Sequence, residues 1–296
     1  MTAQPPSGIA LPLHAASGAD EDEAYYVYGV VPWPLDIDLA QPVYFLPFQD
    51  VAAIVRRVPL AEFGPDALEQ NVRDVRWLEA AVRAHQEILD RALAGGARSA
   101  PGRLRPAPVP MKFGTLYFSE EGVRQALAGR YAELAAALAR LAGKREWGVK
   151  IYCDRATLQR QIEDPHQGLA LRSERITALQ ARMAGLSEGA AYFVKKKLET
   201  ALAEEVDSLC DEYAQRSHGC LTAFAAEAVA NAPQDQQITG RPEVMILNGA
   251  YLVADERLEA FQAELARLAA EVSPLGFSCE LTGPWAPYNF AEIADG

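Results

Sequence analysis

The sequence predicts an α+β protein of two domains, an N-terminal one over 24–145 and a C-terminal one over 146–296, preceded by a disordered tail over 1–23. Three observations predict it. Short runs rich in aromatic and β-branched residues, bounded by Pro, Gly and Asp, read as strands. Between them lie long stretches with apolar residues every three or four positions, the period of an amphipathic helix. A break at Gly143–Trp147 separates two such mixtures of strand and helix.

The tail mixes Pro, Ser, Gly and acidic residues without periodicity, which leaves it too little apolar surface to fold. Tyr25–Val31 then reads as the first strand. Val43–Phe48 and Val51–Val58 read as a strand pair turning at Gln49-Asp50. Pro65 and Asp66 suit a first helical turn, and the helix runs to Leu93 with Leu68, Val72, Val75, Leu78, Val82, Leu89 and Leu93 on its apolar face. The breaker-rich stretch Gly95–Pro108 reads as a loop, Val109–Phe118 as a strand, and Ser119 as the cap of a helix ending near Gly143.

Trp147–Cys153 is a strand that opens the second half, with Asp154 as a helix cap. Leu171–Arg216 is helical and charged. There Ile176, Leu179, Met183, Leu186, Ala190 and Phe193 step as a coiled-coil seam does. Gly185, Ser187 and Gly189 leave two readings open, an antiparallel helical hairpin or one kinked helix. A strand near Phe224–Ala230 follows, then the turn-rich Asn231–Pro242, the buried strand VMILNGAYLVA, a helix from an Asp255 cap to Glu271, and the strand Gly276–Gly283. The order βαββαβ is that of a ferredoxin-like unit.

Composition narrows the function. The chain carries 28 basic and 40 acidic side chains, a formal net charge of −12. Such a surface repels phosphate backbones and acidic lipid head groups, so neither nucleic acid nor membrane is expected as a partner. No apolar run approaches the ~18 residues of a membrane span, and no secretory signal is expected at the N-terminus. Cys153, Cys210, Cys220 and Cys279 are scattered and read as reduced thiols.

Reactive constellations are not found. His85 sits on the apolar stripe of its helix and reads as a hydrogen-bonded interface histidine, with a catalytic or metal role as the alternative. Cys210, His218 and Cys220 lack zinc-ligand spacing. No phosphate-binding glycine loop or nucleophile elbow is present. Catalytic, cofactor and metal residues are therefore expected to be none. Lys195-Lys196-Lys197 is a basic patch in an acidic chain, either a solvated face or a docking surface.

Several segments, in order, resemble the GvpF/GvpL family of gas vesicle proteins. They are the YVYGVV strand, VRRVPLAEFG with Asn71, Trp77-Leu78-Glu79 and AHQEIL, then VPMKFGTLY, EWGVKIY, LNGAYLV, and the ending LTGPWAPYNF. The last block is the most specific. The marker residues are Phe63, Gly64, Lys112, Phe113, Gly114, Trp285, Pro287 and Tyr288, read as structural or partner-binding. Lys112 stands where the family usually has arginine, and the Ala97–Pro106 loop and the N-terminal tail look like additions. The resemblance implies a modified ferredoxin-like N-terminal domain and an α+β C-terminal domain with a coiled coil. It implies an accessory or minor structural protein of gas vesicles, in the cytoplasm, that binds the small hydrophobic shell protein and limits its aggregation during nucleation. Other gas vesicle accessory proteins are further partners it suggests. The competing class is an enzyme or small-ligand binder on ferredoxin-like domains, and a third is an oligomerising coiled-coil scaffold. Two surfaces are candidates for the shell protein: the sheet edge at the KFG strand, and the helices from Ile176 to Tyr213. The closing segment reads as a clasp, stiffened by Pro284 and Pro287.

Overall fold

The structure, a computed structural model, describes residues 22–95, 104–164, 173–183 and 186–291. Most of the expected tail and of the Ala97–Pro106 loop lies outside these residues. The chain divides into two compact units. One comprises 22–146 together with 284–291, the other Trp147–Gly283.

The first unit is built on an antiparallel sheet. Strand β1 (Glu23–Pro32) pairs with β3 (Val51–Pro59), and β3 with β2 (Tyr44–Phe48). On its other side β1 pairs with the short strands β4 (Val109–Pro110) and β5 (Leu116–Tyr117). The order is β2-β3-β1-β4. The apolar runs of β1 and β3 are buried along nearly their whole length, as central strands require. The β2–β3 hairpin turns where expected, with Gln49 at φ 53°.

Helices cover the sheet, but in more pieces than periodicity suggests. The helix expected over 66–93 is two, α2 (Pro65–Asn71) and α3 (Val75–Gly95), after a single turn α1 (Leu60–Phe63). Asp74 makes the break. Its Oδ1 accepts the backbone N–H groups of Arg76 and Trp77, at 2.9 and 3.4 Å, so α3 starts afresh there. The helix expected to run from Ser119 to Gly143 is α4 (Glu120–Gly129) and α5 (Tyr131–Leu141). Ser119 caps α4 through Gly122 N–H. The break falls after Gly129, a poor helix former. The strand expected over Val109–Phe118 is also divided, because Lys112–Gly114 turns out between Met111 N–H, which donates to Tyr28 O, and Thr115 O, which accepts from Val27 N–H.

The second unit carries the sheet β7-β8-β6-β9. Its strands are β6 (Lys144–Cys153, whose first three residues belong to the first unit), β7 (Glu227–Asn231), β8 (Val244–Ala254) and β9 (Phe277–Trp285). In order along the chain they lie second, third, first, fourth. After β6 comes α6 (Arg155–Glu163), capped as expected by Asp154, whose Oδ1 accepts from Ala156 and Thr157, each at 3.1 Å. The long helical stretch resolves as the hairpin: α7 (Glu174–Met183) and α8 (Glu188–Thr222), joined by an Arg175–Glu204 ion pair. The short helix α9 (Gln236–Thr239) lies within the turn-rich stretch. Asp255 does not cap the next helix. Arg257 holds that position, at the end of a 3₁₀ turn (Asp255–Arg257) that leads into α10 (Leu258–Val272). The core of this unit gathers Ile151, Leu158, Ile176, Leu202, Tyr251, Phe261 and Leu268.

The expected seam divides in two. Ile176 is buried and Leu179 packs against the core, whereas Leu186 and Phe193 are exposed. The apolar stripe outruns the helix-facing surface available to it.

Asp154→Ala removes both backbone contacts of the cap. It should lower the unfolding free energy by about 1 kcal/mol, read as a shift of the urea midpoint at unchanged slope.

Candidate functional site

Three of the eight marker residues, Phe63, Phe113 and Gly114, converge on one side chain in the first unit. Tyr26, from β1, is nearly fully buried. Its ring meets Phe63 at the end of α1 (centroids 5.7 Å apart, edge-on) and Phe113 (6.2 Å). Tyr28 and His85 complete the inner ring of contacts, and Trp77 stacks outside against Phe63 and Phe113. Trp77 Nε1 donates to Glu62 Oε1 at 3.0 Å, which anchors α3 to α1.

The hydroxyl of Tyr26 has two partners. Gly114 N–H donates to it at 3.1 Å, and it lies 2.8 Å from His85 Nδ1. The hydroxyl thus shares one hydrogen bond with the amide and one with the ring nitrogen. His85 Nε2 is buried with no hydrogen-bond partner. Burial alone pulls this imidazole down to about 4 from 6.5, so it is neutral. Burial likewise pushes the Tyr26 phenol well above its ordinary range, although the Gly114 N–H opposes the shift.

The marker glycines have steric reasons. Gly114 has φ 84°, and a Cβ there would lie 2.9 Å from Leu68 Cδ2. At Gly64, which joins α1 to α2, a Cβ would lie 2.5 Å from Leu60 O. Lys112 heads the turn: its carbonyl accepts from Thr115 N (3.2 Å) and Thr115 Oγ1 (2.7 Å). The KFG residues themselves are not strand, although β4 and β5 on either side of them form that edge of the sheet. Lys112–Gly114 is a turn plugged onto Tyr26.

The closing segment belongs to the same unit. Ala286 and Pro287 are buried, Phe290 nearly so, and Tyr288 packs on the core that holds Tyr26 and Tyr28. Trp285, half-buried, ends β9. The polar fastening is Glu146, which is buried. It accepts from Asn289 N at 2.9 Å and from Asn289 Nδ2 at 2.6 Å, and Arg140 donates to Phe290 O. Burial pushes the Glu146 carboxyl up to about 7, against the opposing effect of the two Asn289 donors. Sequence reasoning quoted Tyr26, Trp77, Glu146 and Asn289 inside their blocks but assigned them no role. A buried acid leaves no periodic trace in a strand.

The remaining titratable candidates have structural partners. His218 Nδ1 lies 2.9 Å from Tyr251 Oη. Cys153 and Cys210 are buried neighbours, and hydrogen bonding to Cys210, followed by burial, holds the Cys153 thiol up. Among the described residues no group of three His, Cys, Asp or Glu side chains is placed to hold a metal ion. No helix among them is long and apolar enough to cross a membrane.

An aromatic nucleus, a buried clasp and two antiparallel sheets with the same strand order define a mixed helix-and-sheet protein. The family described as gas vesicle synthesis protein GvpL/GvpF matches residues 24–292. The chain belongs to this family. It is 32% identical over 282 residues to gas vesicle protein L of a Streptomyces species, covering 93% of this chain and 95% of that one. It is 24% identical to gas vesicle protein F of a Nostoc species, over 71% of this chain and 77% of the other. The crystal structure of GvpF from an Anabaena species superposes with a TM-score of 0.62 at 20% identity, over 92% of this chain and 98% of that one. GvpF from Microcystis aeruginosa gives 0.59 at 18%, over 91% and 99%. Both share the fold.

Two measurements check this site. Tyr26→Phe leaves the Gly114 amide and His85 Nδ1 without their partner and should cost about 3 kcal/mol of stability, read by denaturant unfolding. The second concerns pH. The folded state refuses a proton on His85 between 6.5 and about 4, so that contribution to stability is lost as pH falls. It keeps a proton on Glu146 between 4.5 and about 7, so that contribution is lost as pH rises. The two slopes oppose each other. In Glu146→Gln the second disappears. Stability relative to the parent should then climb with pH between 4.5 and about 7, by up to about 1.4 kcal/mol per unit. A parallel pair of profiles would refute the assignment.

Proposed function

We propose that this protein is an accessory or minor structural component of gas vesicle assembly that binds the small hydrophobic shell protein and limits its aggregation during nucleation. Membership of the family supplies the process. The observation that carries the binding role is a pair of exposed aromatics on α8. Tyr192 and Phe193 are 64% and 69% exposed, with ring centroids 5.8 Å apart, and they are the only exposed aromatic residues among the described ones. Every other described aromatic is at least partly buried, so this pair is not surplus from core formation. A shell subunit with an apolar face stays soluble only while that face is covered. An acidic chain offering an apolar contact covers it and keeps the complex charged.

The architecture supports the same reading. Both sheets have the second-third-first-fourth order of a split βαβ unit, which we take as ferredoxin-like, with the α7–α8 hairpin as the coiled-coil element that carries the contact. The site of action is the cytoplasm, where vesicles assemble, with other gas vesicle accessory proteins as further partners. The enzyme reading draws no support from His85. The groups that share a hydrogen bond or ring contact with it are aromatic, not carboxylate.

Co-expression of the full chain with the shell protein tests the proposal. The tagged chain should retain shell protein through purification. The double variant Tyr192→Ser, Phe193→Ser should retain several-fold less at unchanged melting temperature, since both side chains are exposed. A full chain that retains none removes the proposal.

A further inference from the structure

The face that α7 and α8 turn to solvent has the shape of a helical bundle short of one member. On α7 the residues Arg175, Ala178, Leu179 and Arg182 line an open groove of ≈ 690 Å3. On α8 the lining residues are Phe193, Lys196, Lys197 and Thr200. Each set is spaced i, i+3, i+4, i+7, so each is a single stripe along its helix. Two parallel stripes with a furrow between them fit the ridge of a third helix. The floor is apolar, from Ala178, Leu179 and the exposed ring of Phe193.

The charge on this groove is opposite to that of the protein. Four of the eight lining residues are cations and none is an anion, in a chain with a net charge of −12. Arg175 is engaged by Glu204. Arg182, Lys196 and Lys197 are exposed and have no ion-pair partner among the described residues. A solvated helix face in an acidic protein ordinarily interleaves its charges, as α10 does through Arg267 with Glu264 and Glu271. Here the cations stand on both rims of an apolar floor.

We infer that this groove docks an amphipathic helix of a partner protein, with an apolar stripe laid on Leu179 and Phe193 and acidic residues along both edges facing Arg182, Lys196 and Lys197. The ten residues of α7 give a seat about 15 Å long, so about three turns of partner helix are engaged. A basic helix is repelled by the same rims. A second copy of this chain meets the like charge of the rest of its surface. The inference rests on the binding role proposed above and adds the surface and the partner's chemistry.

The test uses the full chain in vesicle-forming cells, with a photo-crosslinking benzoylphenylalanine placed at Thr200, an exposed position on the rim. The expected product joins Thr200 to a helix-forming segment that carries acidic residues beside an apolar stripe. Its yield should fall roughly tenfold in Lys196→Glu, Lys197→Glu and by a comparable factor in Phe193→Ser, with the melting temperature unchanged in both. Four results overturn the inference: no crosslink, a crosslink to a strand or basic segment, a crosslink to a second copy of this chain, or a yield indifferent to charge reversal. The two proposals fail separately. If co-expressed shell protein is retained while Thr200 captures no acidic helix, the groove assignment falls alone. If the captured acidic helix belongs to a different vesicle component and shell protein is not retained, the shell-binding role falls and the groove assignment stands.

Discussion

The Tyr26 hydroxyl is the constraint from which the first unit takes its form. It is buried among rings, where an unmade hydrogen bond is costly. It is therefore met by two partners. One is a backbone amide that only a left-handed residue presents at that place, and the other is an imidazole kept neutral by the same burial. Phe63, Phe113 and Trp77 then close around the phenol from separate elements. A strand, a helix terminus, a long helix and a turn are thus registered against one oxygen atom.

Much of this was legible in the sequence, and the remainder was not, for definable reasons. Strand positions follow from apolar alternation and runs, so β1, β3, β6 and β8 fall where expected. Caps formed by short polar side chains are local events, so Ser119 and Asp154 act as predicted. Helix continuity was misjudged at Asp74 and Arg130, where the apolar period passes through a break that side-chain hydrogen bonding or a preceding glycine creates. The marker residues Phe63, Phe113, Gly114 and Tyr288 were visible as a set. Their meeting point was not, because Tyr26 and Glu146 sit in strands whose pattern is the same whether or not a polar atom is used. His85 on an apolar stripe was readable as a packing residue, although its partner was not.

Aromatic side chains mark two opposite uses of surface. In the first unit they are at least partly enclosed, and the Tyr26 hydroxyl at their centre is met by Gly114 and His85. On α8 two are left in water beside a row of cations. The apolar seam of the hairpin explains the difference: Ile176 and Leu179 find the core of the second unit, whereas Phe193 continues the stripe past the point where its own chain can cover it.

The closing segment has a temporal consequence. Residues 284–291 complete a unit begun at β1, and the whole of Trp147–Gly283 is threaded between the two parts. A chain emerging from the ribosome presents β1, the aromatic nucleus and Glu146 long before Asn289 exists. The second unit, contiguous in sequence, has all its strands available first. Glu146 thus waits without its partner until the whole of Trp147–Gly283 has been made and Asn289 follows it. A chain cut before Asn289 lacks that fastening and keeps a buried acid unmet, so the first unit depends on residues made after the second.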